Sequence, residues 1–185
     1  VIMRGFYNRF LHIRELPIPV LAAINGPAIG AGLCFALAAD MRLAAKSAKM
    51  GVTFVGLGLH PGMGATYFLP RLVGPQLAAR LTLTGEVVSG EEAAHMGLVL
   101  EAVEDEELMP RTMALAAKIA SQAPVAVRSC VRSLRMQHDE GMDRALWREA
   151  DAQSYCYSGP DLKEGVASIA AKRQPVFGQY EQYKP

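Results

Sequence analysis

Eight glycines fall between Gly26 and Gly64, where average usage would place about three. Nothing else in the chain constrains its fold so tightly. Glycine is favoured where main chain must take positive φ or approach another group closely. The run therefore reads either as a series of close-packed turns or as a site built from backbone N–H groups, suited to an anionic ligand. The apolar runs around these glycines are short. Val20–Ile24 is apolar throughout and reads as a buried strand. Asn25-Gly26-Pro27 signals a turn. Ala28–Ala39 is small and apolar and reads as a buried helix. Met41–Ala45 is a second strand, Lys46–Met50 a polar turn, and Val52–Val55 a further strand candidate.

Residues 4–15 form a basic amphipathic pattern that stops before Pro17. Ala65–Leu72 and Pro75–Leu83 fit helices, the second opened by proline in its first turn. Ser89-Gly-Glu-Glu92 is a capping box, and Gly97 ends that short helix. Leu98–Val103 reads as a third strand. From Glu106 the pattern is helical, with Leu108, Thr112, Leu115 and Ile119 on one face. After Pro124, Val127, Cys130, Val131 and Leu134 line the next apolar face. Arg128, Arg132 and Arg135 form the opposite, solvated stripe. Asp143–Tyr157 and Asp161–Ala171 complete the series. Short strands come early and helices cluster late. That order predicts an α/β fold with a core over residues 1–104 and a helical arm over 105–185.

Composition removes several function classes. An apolar share of 51% with 20% charged residues excludes intrinsic disorder. A net charge of +1 gives no overall pull toward nucleic acid or an anionic membrane. No apolar run approaches the roughly 18 residues of a membrane span, and no signal peptide is visible. Cys34, Cys130 and Cys156 are too scattered for a disulfide framework or a zinc site, and His12, His60, His95 and His138 lack metal-ligand spacing. A reducing compartment is expected: the cytoplasm, or the mitochondrial matrix in a eukaryote. Val1 is not a natural start, so a longer parent chain is expected.

The turn itself can be tested against known signatures. Asn25-Gly-Pro-Ala-Ile-Gly-Ala-Gly32 lacks the third glycine and the later acid of a dinucleotide fingerprint. No Gly-Lys-Ser/Thr follows it, and the chain has no Gly-x-Ser-x-Gly elbow. What remains is a strand–turn–helix whose first amides are free. The helix dipole adds about half a positive charge there. Such a turn can bind an anion or a developing oxyanion. A close-packed helix start is the plainer alternative.

Pro19-Val-Leu-Ala-Ala-Ile-Asn-Gly-Pro-Ala-Ile-Gly-Ala-Gly32, followed by Ala39-Asp40, resembles the crotonase superfamily of enoyl-CoA hydratases and isomerases. Gly56-Leu-Gly-Leu-His-Pro-Gly-Met-Gly-Ala-Thr66 with Leu72-Val-Gly74 is similar to that family's loop and following helix. So are Leu83-Thr-Gly85 through Gly97-Leu-Val99, and Asp161-Leu-Lys-Glu-Gly165 through Lys172-Arg173 and Phe177, to its later elements. The resemblance covers residues 15 to 178 or so. It implies a spiral of ββα turns, of which this chain holds the C-terminal part, with a helical trimerisation arm and assembly as homotrimers or hexamers. It implies an acyl-CoA thioester substrate, with coenzyme A as part of the substrate and no separate cofactor. The thioester oxygen, as it becomes an enolate, would sit on the Ala31 amide, between Gly30 and Gly32. A second amide would come from an upstream segment these residues do not include. Lys172 and Arg173 would lie near a coenzyme phosphate.

The acid–base positions depart from the family pattern. Its hydratases carry two glutamates, at the positions of Cys34 and Phe54 here, and neither is a carboxylate. Asp40 is the single acid among residues 16–85, at a position the family uses structurally. His60 in Leu59-His-Pro-Gly62 is a substitute candidate, since an imidazole is suited to proton transfer at neutral pH. A loop histidine bonded to backbone is the plainer reading of it. Cys34 would serve only with a lowered pKa, and otherwise is a small buried hydrophobe. Two functions stay open. One is an enzyme that stabilises an acyl-CoA enolate without two-glutamate hydration. The other is a non-catalytic member binding acyl-CoA or a protein partner.

Overall fold

The chain alternates between two small sheets, and the glycine-rich turns are the crossing points. The computed structural model describes residues 2–178. After α1 (Ile2–Leu11) and a 3₁₀ turn at His12–Glu15, β1 (Leu21–Ile24) enters the first sheet and β2 (Ala28–Ile29) the second. Helix α2 (Ala31–Leu37) carries the chain back. β3 (Met41–Ala45) then lies parallel to β1, pairing Leu21 with Met41, and β4 (Lys49–Gly51) lies parallel to β2, pairing Ala28 with Met50. Each ββα turn is thus laid beside the one before, as the expected spiral requires. The kinked helix α3 (Ala65–Thr84), β5 (Val87–Ser89), α4 (Gly90–His95) and β6 (Glu101–Val103) complete it. The sheet orders are β1-β3-β6, all parallel, and β2-β4-β5, with β5 antiparallel to β4.

Local chemistry explains these elements. β3 is buried on both faces, so its run Leu43-Ala44-Ala45 carries no polar alternation. Gly74 takes φ 79°, ψ 166° inside α3 and separates two helical stretches, with Pro75 opening the second. The Ser89–Glu92 capping box is formed, and Gly97 follows α4 at φ 77°.

Three expectations are corrected. The predicted helix over 28–39 begins only at Ala31, because Ala28 and Ile29 pair with Met50 and Gly51 across the second sheet. For the same reason the expected turn over 46–50 ends in a strand from Lys49. Val52–Val55 forms no strand; Thr53–Leu57 is a 3₁₀ turn. A β-branched run needs a neighbouring strand to pair with, and the second sheet ends at Gly51.

The arm consists of α5 (Leu108–Ala120), α6 (Pro124–His138), α7 (Met142–Tyr157) and α8 (Pro160–Ala170). Leu108, Leu146 and Ala150 join the same core as Leu33, Leu43, Met50 and Phe68, so α5 and α7 share one interior with the spiral. The α6 stripe differs from expectation. Arg135 is buried at 8% exposure, whereas Cys130 and Leu134 are exposed. Arg135 donates both Nε (2.8 Å) and Nη2 (2.6 Å) to the Asp40 carboxylate, and Nη1 to the carbonyls of Arg14 and Leu16. Burial works to raise the Asp40 carboxyl, but Arg135, the Val20 amide and Arg14 hold it below the usual carboxylate range.

Candidate active site

The strand-to-helix turn is built by Gly30. Its amide donates to Gly51 O at 2.8 Å, and its φ of 56° with ψ −118° favours glycine. A Cβ there would meet Phe54 Cζ and Thr53 Oγ1, both at 3.9 Å. The turn after β4 therefore lays the Phe54 ring and the Thr53 hydroxyl over Gly30. The first helical bond runs from Cys34 N to Gly30 O at 3.0 Å, and the Ala31 amide has no acceptor among the described residues. Ala31 and Gly32 are both exposed. Gly32 lines a groove of about 450 Å³ with Asn25–Ala28, Phe35 and the outer edge of β1. This geometry can present an N–H donor, backed by the start of a helix, beside an aromatic wall.

The expected acid–base groups fare unequally. Cys34 is fully buried. Burial, and then the charge of Glu149, push its thiol pKa well up, so the structure speaks against Cys34 as a proton carrier. His60 is half-buried, with Nδ1 donating to Pro61 O at 2.6 Å, and its carbonyl accepts from Gln153 Nε2 at 2.9 Å. Those bonds tie it to α7 and to its neighbour Pro61 in the loop before α3. None of them involves the Gly30–Ala31 turn.

Sequence reasoning passed over Glu149. This α7 side chain is fully buried, with Oε2 accepting from Gly64 N at 2.7 Å and Oε1 from Thr66 N at 2.8 Å and the Thr66 hydroxyl. It caps α3 from a distant helix, in the place of a local N-cap side chain. Burial raises its carboxyl above the ordinary value, against the lowering effect of those donors and of His60. Beside it Tyr7 Oη donates to Gln153 Oε1 at 2.7 Å. A signal was present: Leu146, Glu149, Ala150 and Gln153 share one helical face, and two of the four are polar.

The two cations at the end of α8 also separate. Arg173 donates Nη2 to Glu164 Oε2 at 2.8 Å, and the Val176 amide donates to Glu164 Oε1 at 2.8 Å. With Arg173 and then Val176 donating to it, the Glu164 carboxyl falls to about 2. In this structure the Arg173 guanidinium holds the following segment through Glu164, and its cleft also carries Asp161. Lys172 is exposed at φ 49°, with no side-chain partner among the described residues. Among the described residues no helix is long and apolar enough to cross a membrane, and no group of three His, Cys, Asp or Glu side chains could hold a metal ion.

Comparison with known proteins gives a consistent result. Residues 1–181 match the family model described as enoyl-CoA hydratase/isomerase. The chain is 41% identical over 168 residues to a crotonyl-CoA hydratase of Syntrophomonas wolfei, covering 91% of this chain and 65% of that protein. It is 36% identical over 173 residues to the 1,2-epoxyphenylacetyl-CoA isomerase of Escherichia coli, covering 93% and 66%. Its fold matches the crystal structure of an enoyl-CoA hydratase/isomerase from Pseudoalteromonas atlantica with a TM-score of 0.86 at 36% identity, over 92% of this chain and 69% of that one. The chain thus spans somewhat under two thirds of the length of the first of these relatives.

Proposed function

The chain belongs to the enoyl-CoA hydratase/isomerase family, and from that premise we propose that it binds an acyl-CoA thioester with the carbonyl oxygen on the Ala31 amide. The observation that carries this reading is that amide, exposed at the head of α2 and without an acceptor among the described residues, next to the Gly30 turn over which Phe54 lies. A preorganised N–H aimed at a developing oxyanion costs no reorganisation when the enolate forms. The second donor would come from outside the described residues. Lys172 would approach a coenzyme phosphate as a point charge. The substrate brings coenzyme A with it, and no separate cofactor is needed.

The reaction is one of enolate stabilisation other than two-carboxylate hydration. Adding water across an enoyl bond needs one group to take a proton from water and another to protonate the α-carbon. Phe54 has no exchangeable proton, and Cys34 is buried with its thiol pushed up. His60 is then the proton carrier of this reading, for an isomerase-type shift. A second reading, an acyl-CoA or protein-binding member without turnover, is favoured by that same pair of replacements. The protein would assemble as a homotrimer or hexamer through the arm, where Val125, Met136, Tyr155, Val166 and Ile169 are exposed. It would work in the cytoplasm or the mitochondrial matrix.

The test is turnover by the intact protein. Crotonyl-CoA hydration, followed by loss of enoyl absorbance, is expected at least about 10⁴-fold below a two-glutamate enzyme. A 3-enoyl-CoA should isomerise measurably, and His60→Ala should abolish that rate. Hydration within tenfold of an ordinary hydratase would sink the proposal. Binding of acyl-CoA with neither reaction would select the second reading.

A further inference from the structure

Away from the glycine-rich turn, α6 and the end of α2 enclose a cleft of about 230 Å³ lined by Arg14, Asp40, Arg42, Leu134, Arg135 and His138 among others. Two of its three guanidinium groups are fully engaged. Arg14 holds Asp139 through Nε (2.9 Å) and Nη2 (2.6 Å), with Nη1 on Ala38 O at 2.9 Å. Arg135 spends its nitrogens on Asp40 and on the carbonyls of Arg14, Leu16 and Ile18.

Arg42 is different. It is 7% exposed. Its Nε donates to Leu98 O at 3.0 Å and its Nη1 to Ala39 O at 2.7 Å and Leu37 O at 3.3 Å. These are main-chain carbonyls, and no carboxylate among the described residues is hydrogen-bonded to Arg42. Its Nη2, with two N–H donors, has no acceptor among the described residues. Buried charges are ordinarily paired and hydrogen-bonded, because desolvation is costly. Burial pulls the Arg42 pKa down to about 10, with Asp40 opposing and Arg14 adding to the fall. Counting the cleft and its bonded partners, Arg14 is balanced by Asp139 and Arg135 by Asp40, which leaves the charge of Arg42 uncompensated. At the rim, His138 Nδ1 lies 3.4 Å from Asp139 Oδ1 and its ring stacks on Phe68. Its Nε2 has no partner among the described residues.

We propose that this cleft is a binding site for a small inorganic oxyanion of the phosphate class, accepting from Arg42 Nη2 at its base, with the His138 ring at its rim. A planar guanidinium is suited to such oxyanions by its fork of donors. The carboxylate that also lines the cleft, Asp40, opposes the anion. Both of its oxygens already accept charge-assisted bonds from Arg135, and one accepts from the Val20 amide. An occupant would link β3 to α6, and so the spiral to the arm, which predicts that it stabilises the fold.

The experiment is thermal unfolding of the intact protein in phosphate, against sodium chloride at equal ionic strength. Phosphate should raise Tm in step with the logarithm of its concentration above Kd, by about 3–6 °C at ten times its Kd. Leu134→Glu changes an exposed residue (69% exposed) of the cleft wall and adds a carboxylate to the lining it shares with Arg42. It should unfold cooperatively and lose the phosphate response. Arg42→Lys, with a single point-charge head, should weaken apparent phosphate affinity at least about tenfold. If it does not fold, Leu134→Glu decides alone. No phosphate-specific shift in the parent protein over sodium chloride, or an equal shift in Leu134→Glu, overturns the proposal.

Discussion

Removing the Glu149 carboxylate is expected to be among the most costly single truncations on the arm. The side chain accepts from two amides at the start of α3 and from the Thr66 hydroxyl, all within a fully buried site. Glu149→Ala leaves the Gly64 and Thr66 amides without acceptors. Loss of a helix cap costs about 0.5–2 kcal/mol, and a buried donor left unpaired about 1–3 kcal/mol. With the cavity added, a loss of about 3–5 kcal/mol is expected, near the upper limit for one substitution. Glu149→Gln keeps the volume and one acceptor and should cost about 1–2 kcal/mol.

The pH dependence of the Gln variant separates the forces on the carboxyl. Burial raises the native pKa above the ordinary carboxylate value. The native state therefore holds the proton longer than the unfolded chain. The contribution of Glu149 is full below the unfolded pKa of about 4.3 and falls as pH rises through the native value. The Gln deficit should be greatest near pH 4 and narrow toward pH 7. Urea unfolding followed by the single tryptophan, Trp147 on α7, reads it. A deficit that grows with pH would mean the amide donors outweigh burial. An Ala variant costing under about 1 kcal/mol would remove the capping role altogether.

Arg135→Met should lose about 2–3 kcal/mol, because it leaves the half-buried Asp40 carboxylate without its charged partner; adding Asp40→Asn should restore part of that, and denaturant midpoints of the four proteins measure the coupling. Gly62→Ala would bring a Cβ within 2.3 Å of Tyr7 Oη and 2.9 Å of Gln153 Oε1, so it should fold poorly alone. Tyr7→Phe in the same chain should raise its Tm, whereas equal additive losses would show that the loop moves freely.

Much of the architecture is local and so was legible in the residues. The Ser89–Glu92 box, Gly97 after α4, and the break at Gly74-Pro75 each depend on main-chain groups a few positions away. The ββα order, and the glycine-rich turn with non-carboxylates at 34 and 54, followed from a motif contained in neighbouring residues. Where a partner strand was needed, as for Ala28-Ile29 and Val52–Val55, pattern alone misassigned the element.

The side-chain environments belong to the tertiary structure. Arg135 sits on what periodicity reads as a solvated stripe, yet it is clamped to Asp40, 95 positions earlier. Glu149 caps α3 across 85 positions from Gly64. Cys34 is inert because of what buries it, and Phe54 lies over Gly30 because β4 ends one turn earlier. Backbone preference is set by a residue and its neighbours, so sequence carries it directly. Charge state and hydrogen-bond partnership are set by which distant elements exclude water from a group, and that is decided only when the arm closes over the spiral.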